Sequence, residues 1–461
     1  MNGRERIRNA FMGKNIDRVP WLPFVGCHGG SLIDVKADDY LKSTDHMVRG
    51  ARKAVERYNP DGMPVMFDLQ VEAEVLGCRL EWSDENPPAV VSHPLADGSV
   101  TLEALSVPGP GDGRIPLALA AAKRLREEFP DLALYGLITG PFTLALHLLG
   151  TSIFMKMFDD ETHVHSLLAF CQSVSQAMAD YYIEAGCDVI AVVDPMTSQI
   201  GPDQFKQFVS GPVASLFQHI RAQDALSSFF VCGQAQHNIE VMADTKPDNI
   251  SIDENIPLDY VRDICRSKGI SFGGNLQLTV VLLLGSVDDA KRNAIQCMET
   301  GGTEGFILAP GCDLPYATPP ENIEAVTAVV HDPYQQDIAR TLADSTFDVD
   351  LPDMSDYGKS DKVIVDIITL DSEACAPCQY MVEAVKVVAP QFEGVVEWRE
   401  HKIKKREGVA FMMALMVKNI PTICIDGRIT FVSQIPPKEE LVAAIQKRIV
   451  QKQSYKIGVR S

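Results

Sequence analysis

The sequence predicts an α/β protein: a (β/α)8 barrel of the TIM type over residues 1–335, a linker over 336–360, a smaller α/β module over 361–450 and a basic tail over 451–461. Three observations carry this prediction. Eight short apolar runs recur within the first 335 residues, and most are followed by an amphipathic stretch. The runs are continuous rather than alternating, as strands buried on both faces of a parallel sheet are. Past a polar, aperiodic stretch a strand-and-helix pattern restarts with its own spacing, and a chain of 461 residues is long enough for two cores.

In chain order the runs are "RVPWLPFVG" from Arg18, "GMPVMFD" from Gly62, "LALYGLITG" from Leu132 and "VIAVVDP" from Val189, followed by "SFFVCGQ" from Ser228, "NISID" from Asn249, "ISFGGNL" from Ile270 and "GFILAPGC" from Gly305. Stretches such as "DYLKSTDHMVRGARKAVERY" and "DDAKRNAIQCMETGG" between them space their apolar residues as one face of a helix. The segment from Leu69 to Pro130 carries its own turn signals, "ENPP", "LADGS" and "GPGDG", and reads as the largest insertion. After "ENIEAVTAVVHDP" the chain turns polar, the mark of a linker. The module then runs through a strand "KVIVDIITL", the motif "CAPC", a helix, a strand "VVEWREHKI", a helix "GVAFMMALMV", the stretch "IPTICIDGRITFV" and a closing helix.

Composition excludes several function classes. Of a net charge of −20, residues 361–461 contribute +3, from 15 Lys and Arg against 12 Asp and Glu, which leaves −23 on residues 1–360. So acidic a surface repels nucleic acid. No apolar run reaches the roughly 18 residues that a membrane span requires. The start "MNGRERIRNAFMGKN" is basic without an apolar core and does not read as a signal peptide, so a cytoplasmic location is expected. Eleven cysteines scattered over this length form no disulfide framework.

In such barrels the chemistry sits where strands end. The ends of the eight runs are Cys27 and His28, Asp68, Thr139, Asp194, Cys232, Asp253, Asn275 and Cys312. Three thiols, an imidazole and several carboxylates thus face one opening, and soft thiolates select Zn2+ over Mg2+ or Ca2+. A lone cysteine is more often a small buried hydrophobe, and Cys78, Cys171, Cys187, Cys265 and Cys297, in helices or at loop starts, read that way.

"FDLQVEAEVLGC", "LITGPFTLAL", "VDPMTSQIGPDQF" and "ILAPGCDLPYATPPENIEA" resemble the uroporphyrinogen decarboxylase superfamily, and within it the corrinoid-dependent methyltransferases such as methylcobalamin:coenzyme M methyltransferases. The resemblance spans roughly residues 1–335. It implies methyl transfer between a corrinoid and a small thiol acceptor. The donor would be free methylcobalamin or a corrinoid protein, since no Asp-x-His-x-x-Gly segment for holding a corrinoid occurs here. It also implies a Zn2+ bound by a His-x-Cys motif and a later cysteine, which would lower the acceptor thiol's pKa. On this chain the cysteines are Cys232 and Cys312, and the histidine position holds Phe230, which cannot ligate. A third ligand is expected from Cys27, His28 or His237, of which His237 reads equally as a solvated loop histidine. Asp194, Glu72 and His28 are the expected catalytic or substrate-orienting groups, with a turn-capping carboxylate as the plainer reading of Asp194. The superfamily's decarboxylases hold the acetate groups of a tetrapyrrole with arginines after the first strand. The corresponding "PFVGCHGGSLIDVKADD" has none, so decarboxylation is not expected.

The module resembles the thioredoxin/glutaredoxin superfamily, with "CAPC" between a strand and a helix. That resemblance implies that Cys375 attacks, that Cys378 resolves, and that Pro421 in "NIPTICIDG" is a cis-proline opposite them. A linker of about 25 residues has a coil span of roughly 25–30 Å, enough for the dithiol to serve thiols at a barrel mouth. The competing reading of the whole is a thiol-redox protein whose barrel binds a corrinoid or thiol ligand without methyl transfer.

Overall fold

The computed structural model describes residues 1–342, 349–355, 357, 360–373 and 375–458, with the backbone alone for 454–458. Linker residues 343–348, 356, 358 and 359 and tail residues 459–461 lie outside the described residues. The chain divides into two units, Met1–Ser345 and Thr346–Ser461.

The first unit is a curled, all-parallel sheet of seven strands in sequential order: β1 Gly62–Pro64, β2 Ala133–Thr139, β3 Val189–Val193, β4 Leu226–Val231, β5 Asn249–Ile252, β6 Ser271–Leu276 and β7 Phe306–Pro310. Nearly every strand residue is buried, because helices cover the outside and side chains fill the inside. The eighth stave departs from expectation. "RVPWLPFVG" forms no regular strand but one parallel bridge, Trp21 to Leu308. Pro20 and Pro23 have no N–H to give to a ladder. The stave still closes the ring: Leu22 N–H donates to Leu308 O, Leu308 N–H to Pro20 O, and Asp61 N–H to Trp21 O.

A side chain reinforces this thin seam. Asp61 is 2% exposed and accepts from Arg6 Nη1, from Arg18 Nη1 at 2.6 Å and from Trp21 N–H at 2.8 Å. Arg6 belongs to the helix Gly3–Phe11, whose Asn2–Glu5 capping box fixes its start. That helix lays Ile7, Ala10 and Phe11 into the same core as the inward side chains of β2, β3, β4 and β7. The segment read as an insertion holds a short helix, Val71–Val75, and a two-stranded ribbon, Leu80–Glu81 with Ala89–Val90. It ends in an ordinary barrel helix, Ile115–Glu128. The barrel unit also runs further than its sequence pattern suggested. Residues placed at the start of the linker belong to a helix, Pro333–Thr341, tied to the barrel by Lys291 to Gln335 and Arg340 to Glu299.

The second unit has four strands, β8 Val363–Thr369, β9 Val396–Lys402, β10 Thr422–Ile425 and β11 Arg428–Val432, in the order β9-β8-β10-β11. β8 is parallel to β9 and antiparallel to β10, and β11 pairs antiparallel with β10. Helices Ala376–Val388, Arg406–Ala414 and Lys438–Gly458 complete a β-α-β-α-β-β-α order. The last helix runs past residue 450, so residues 451–458 continue it rather than trailing as a tail. Val363, Val365, Ile367, Met381, Val385, Ile423 and Leu441 are among its core residues. Asp366, fully buried in β8, is held by His401 at 2.8 Å and by the Tyr357 hydroxyl at 2.8 Å. The Ile420–Pro421 peptide bond is cis.

Among the described residues no single helix is long and apolar enough to cross a membrane.

Candidate active site

Side chains of a strand alternate between its faces. On β4 Phe229 points outward to Phe205 and Phe217 of the helical layer, and Phe230 points inward. Phe230 stacks on Phe24 with centroids 5.0 Å apart and meets Phe67 edge-on at 6.1 Å. Phe24 and Phe67 are edge-on to each other at 5.9 Å. The three rings, each less than 5% exposed, form an aromatic floor across the barrel interior.

Cys232 and Cys312 pack on that core from the strand-end side. Both are half-buried, and their sulfurs lie 3.4 Å apart although two strands separate β4 from β7. Both stand among the strand-end groups of the sequence, and the family resemblance singled them out as a pair. The other expected ligands are not brought to it. His28 is fully buried, with Nε2 2.7 Å from the Tyr58 hydroxyl and Nδ1 3.2 Å from Tyr316 O, and burial pushes its pKa down to about 4. His237 places Nε2 3.0 Å from Ile200 O. Cys27 is buried at the start of the helix His28–Ser31. Among the described residues no group of three His, Cys, Asp or Glu side chains is placed to hold a metal ion. Two tetrahedral zinc thiolates at Zn–S of about 2.3 Å put their sulfurs about 3.8 Å apart, so the pair itself has nearly the right spacing. The donor set, however, is one ligand short of the three protein ligands of a catalytic zinc.

The expected catalytic carboxylates are engaged in the walls. Asp194 accepts Thr143 N–H at 2.8 Å, Thr143 Oγ1 at 2.6 Å and Phe142 N–H at 3.2 Å, so it caps the helix Pro141–Leu149. Gly140 permits this, because a Cβ there would fall 2.3 Å from Asp194 Cβ. Burial raises Asp194 to about 6 against those donors. Here the plainer reading of Asp194 describes its contacts.

Glu72 is also buried. It accepts Thr139 N–H at 2.9 Å, and its other oxygen lies 2.8 Å from Thr139 Oγ1, itself 2.7 Å from Leu69 O. One hydroxyl proton cannot serve both acceptors. A protonated Glu72 resolves this by donating to Thr139 Oγ1, which then donates to Leu69 O. Burial agrees, raising Glu72 to about 7. A carboxyl whose folded pKa is raised stabilises the fold only where it keeps its proton. That contribution is present at low pH and is lost as pH rises from the ordinary carboxyl range through about 7. Glu72→Gln mimics the protonated form. Its stability relative to the parent should therefore grow by about 2–3 kcal/mol between pH 5 and pH 8. Urea unfolding of both proteins at the two pH values reads this, and parallel pH profiles would count against it.

Two groups near the mouth were missed by sequence reading. Arg114 lies in the insertion, with no pattern to mark it, and pairs with Asp68 and Glu74 at 2.6 Å each. Glu254 follows the strand-end Asp253, and the doublet in "SIDENIP" was its available signal. Asp253 accepts Gly233 N–H at 2.6 Å, next to Cys232. Glu254 Oε1 accepts Leu278 N–H, and its buried Oε2 lies against Gly311, next to Cys312. Burial raises both carboxyls, and the Asp253 charge raises Glu254 further.

In the second unit Cys375 is half-buried at the N-cap of the helix Ala376–Val388, and Cys378 is buried in its first turn. The Cys375 N–H donates to Asp371 O, and Lys402 and Lys404 hold the Asp371 carboxylate at 2.8 and 3.4 Å.

The model of the family described as uroporphyrinogen decarboxylase (URO-D) matches residues 2–333. The chain belongs to the uroporphyrinogen decarboxylase family. Within this family it is 29% identical over 340 residues to the methylcobamide:CoM methyltransferase MtaA of Methanosarcina barkeri, covering 70% of this chain and 96% of that one. It is 26% identical over 334 residues to a methylated-thiol–coenzyme M methyltransferase of Methanosarcina mazei, covering 70% and 88%. A solved methyltransferase from Methanosarcina mazei superposes with a TM-score of 0.66 at 26% identity, covering 74% of this chain and all of that one. These relatives match the share of the chain that folds as the barrel.

Proposed function

We propose that the barrel is a corrinoid-dependent methyltransferase that carries a methyl group from a methylcobamide-type corrinoid to a small thiol. The observation that carries this reading is the Cys232–Cys312 pair, 3.4 Å apart where the strands of a family barrel end, in a chain whose near-full-length relatives are named for this chemistry. In the proposed step the acceptor's sulfur attacks the methyl carbon. A C–S bond forms, the Co–C bond breaks with its electron pair left on cobalt, and the thiol proton is released. The corrinoid enters as substrate, free or on a partner protein. The zinc implied by the resemblance would be held by Cys232 and Cys312 and would activate the acceptor thiol. With two protein ligands in place of three the fit is incomplete.

The second unit is proposed as a thioredoxin-like dithiol module in which Cys375 attacks and Cys378 resolves. Support comes from the β-α-β-α-β-β-α order and from CAPC at a helix start, where the N-terminal dipole favours a thiolate. The test of the barrel reading is demethylation of free methylcobalamin with a panel of small thiols, coenzyme M among them, followed by absorbance and by mass of the methylated thiol. The parent protein should form thioether, and Cys232→Ser or Cys312→Ser should lose most of that activity. A double variant that keeps the parent rate, or a panel in which no thiol is methylated, would overturn the reading.

A further inference from the structure

We infer that Cys232 and Cys312 form a second redox centre, a dithiol that closes to an intramolecular disulfide under peroxide. This rests on their geometry and does not depend on methyl transfer. Closing 3.4 Å to a disulfide bond of about 2.05 Å requires a shift of about 1.4 Å. Each cysteine lies just past a strand end and beside a glycine: Gly233 follows Cys232 with φ +83°, and Gly311 precedes Cys312. Gly233 N–H is held by Asp253 at 2.6 Å and Gly311 N–H by Leu276 O at 3.0 Å, so the closing shift falls to rotation of the two cysteine side chains.

Three further observations favour closure over other fates of these thiols. The residues that would hold them apart on a metal are engaged elsewhere: His28 with Tyr58 and Tyr316, His237 with Ile200, and Phe230 in the aromatic floor. Both sulfurs rest on an apolar core, where a neutral disulfide carries no charge to desolvate and sulfur–aromatic contact is favourable. Both are half-buried, so a small oxidant reaches them. The remaining cysteines of the first unit, Cys27, Cys78, Cys171, Cys187, Cys265 and Cys297, are buried.

The chemistry balances with hydrogen peroxide as oxidant. One cysteine sulfur attacks the O–O bond, giving a sulfenic acid and one water. The other sulfur displaces the hydroxyl as a second water and forms the S–S bond. Two electrons pass from the thiols to the peroxide, and both thiol protons leave in water. The second step is intramolecular at near-contact distance, so it outpaces further oxidation of the sulfenic acid. A dithiol reverses the bond by exchange.

The test uses the full chain carrying Cys375→Ser and Cys378→Ser, so that the other pair is silent. Protein treated with a small excess of hydrogen peroxide is alkylated and digested without reduction. The expected result is a loss of two hydrogens from the intact mass in most chains, a linked peptide pair containing Cys232 and Cys312, and full recovery of both thiols with dithiothreitol. Adding Cys312→Ser should leave Cys232 with oxygen added and no link. Sulfinic acid at one cysteine with the other still alkylated, or both alkylated as in untreated protein, would overturn the inference. The readout is a covalent bond, so an inactive methyltransferase would neither mimic nor mask it.

Discussion

Phe230→His should raise bound zinc from well below one to about one Zn2+ per chain in protein purified under reducing conditions. Phe230 occupies the position at which the family resemblance places a histidine, and it shares the inward face of its strand with the residue two further on. An imidazole there would come up beneath Cys232 and supply the third ligand that the described residues lack. A third protein ligand on a preformed thiol pair should be worth at least about tenfold in affinity. The substitution also has a cost. It removes a ring from the stack with Phe24 and Phe67 and buries a polar group, about 1–3 kcal/mol without metal. Metal analysis of the parent, the variant and the variant with Cys232→Ser separates these effects, and a melt with and without chelator reports folding. Zinc contents equal in all three proteins would mean that the inward face of β4 does not address the thiols as described.

Asp61→Ala should cost the first unit about 3–5 kcal/mol, the range for breaking a buried charge pair by removing one partner. The carboxylate is 2% exposed and accepts from Arg6, Arg18 and Trp21 N–H, so its loss strands two guanidinium groups and a backbone donor together. Arg6 keeps Asp17, at 2.6 and 2.7 Å, which bounds the damage. Urea unfolding followed by near-ultraviolet circular dichroism measures the change. Should the variant fail to fold, Arg18→Met removes a single, more exposed partner and should cost about 1 kcal/mol. A loss under 1 kcal/mol in Asp61→Ala would mean that the single backbone bridge closes the ring without this side chain.

The strands from β1 to β7 were legible because each is buried on both faces and therefore free of charged residues along its whole length. The first stave was not, because Pro20 and Pro23 keep an apolar run out of a ladder while leaving it in place. The helix Pro333–Thr341 was hidden for the opposite reason: it buries only Ala339, so its sequence carries almost no apolar period. At the mouth, Cys232 and Cys312 could be placed because strand ends set both. The third ligand could not, because it depends on loop paths. His237 follows Cys232 by five residues, yet its ring turns to Ile200 O. Asp194 was recognised as an acid at a strand end and Glu72 as one following the second strand, but whether an acid faces the opening or a neighbouring wall is decided by Thr143 and Thr139, which strand patterns do not register.

The aromatic floor also governs proton traffic. Phe24, Phe67 and Phe230 carry no donor or acceptor, and they lie in one core with Ile7 and Phe11 of the first helix. No relay of side chains or water passes through such a stack, because a proton wire needs a polar group at each step. A proton shed by a thiol above these rings cannot cross them and leaves outward past the strand ends or along the polar side chains beside them. On that side lie Asp253 and Glu254, two carboxyls whose proton affinity burial has raised toward neutrality, each leaning on a glycine that flanks one of the cysteines. The barrel is thus insulated on the side that the rings fill, while the matching face of β5, with Asn249, Ser251 and the following Asp253, carries its polar groups up to the rim.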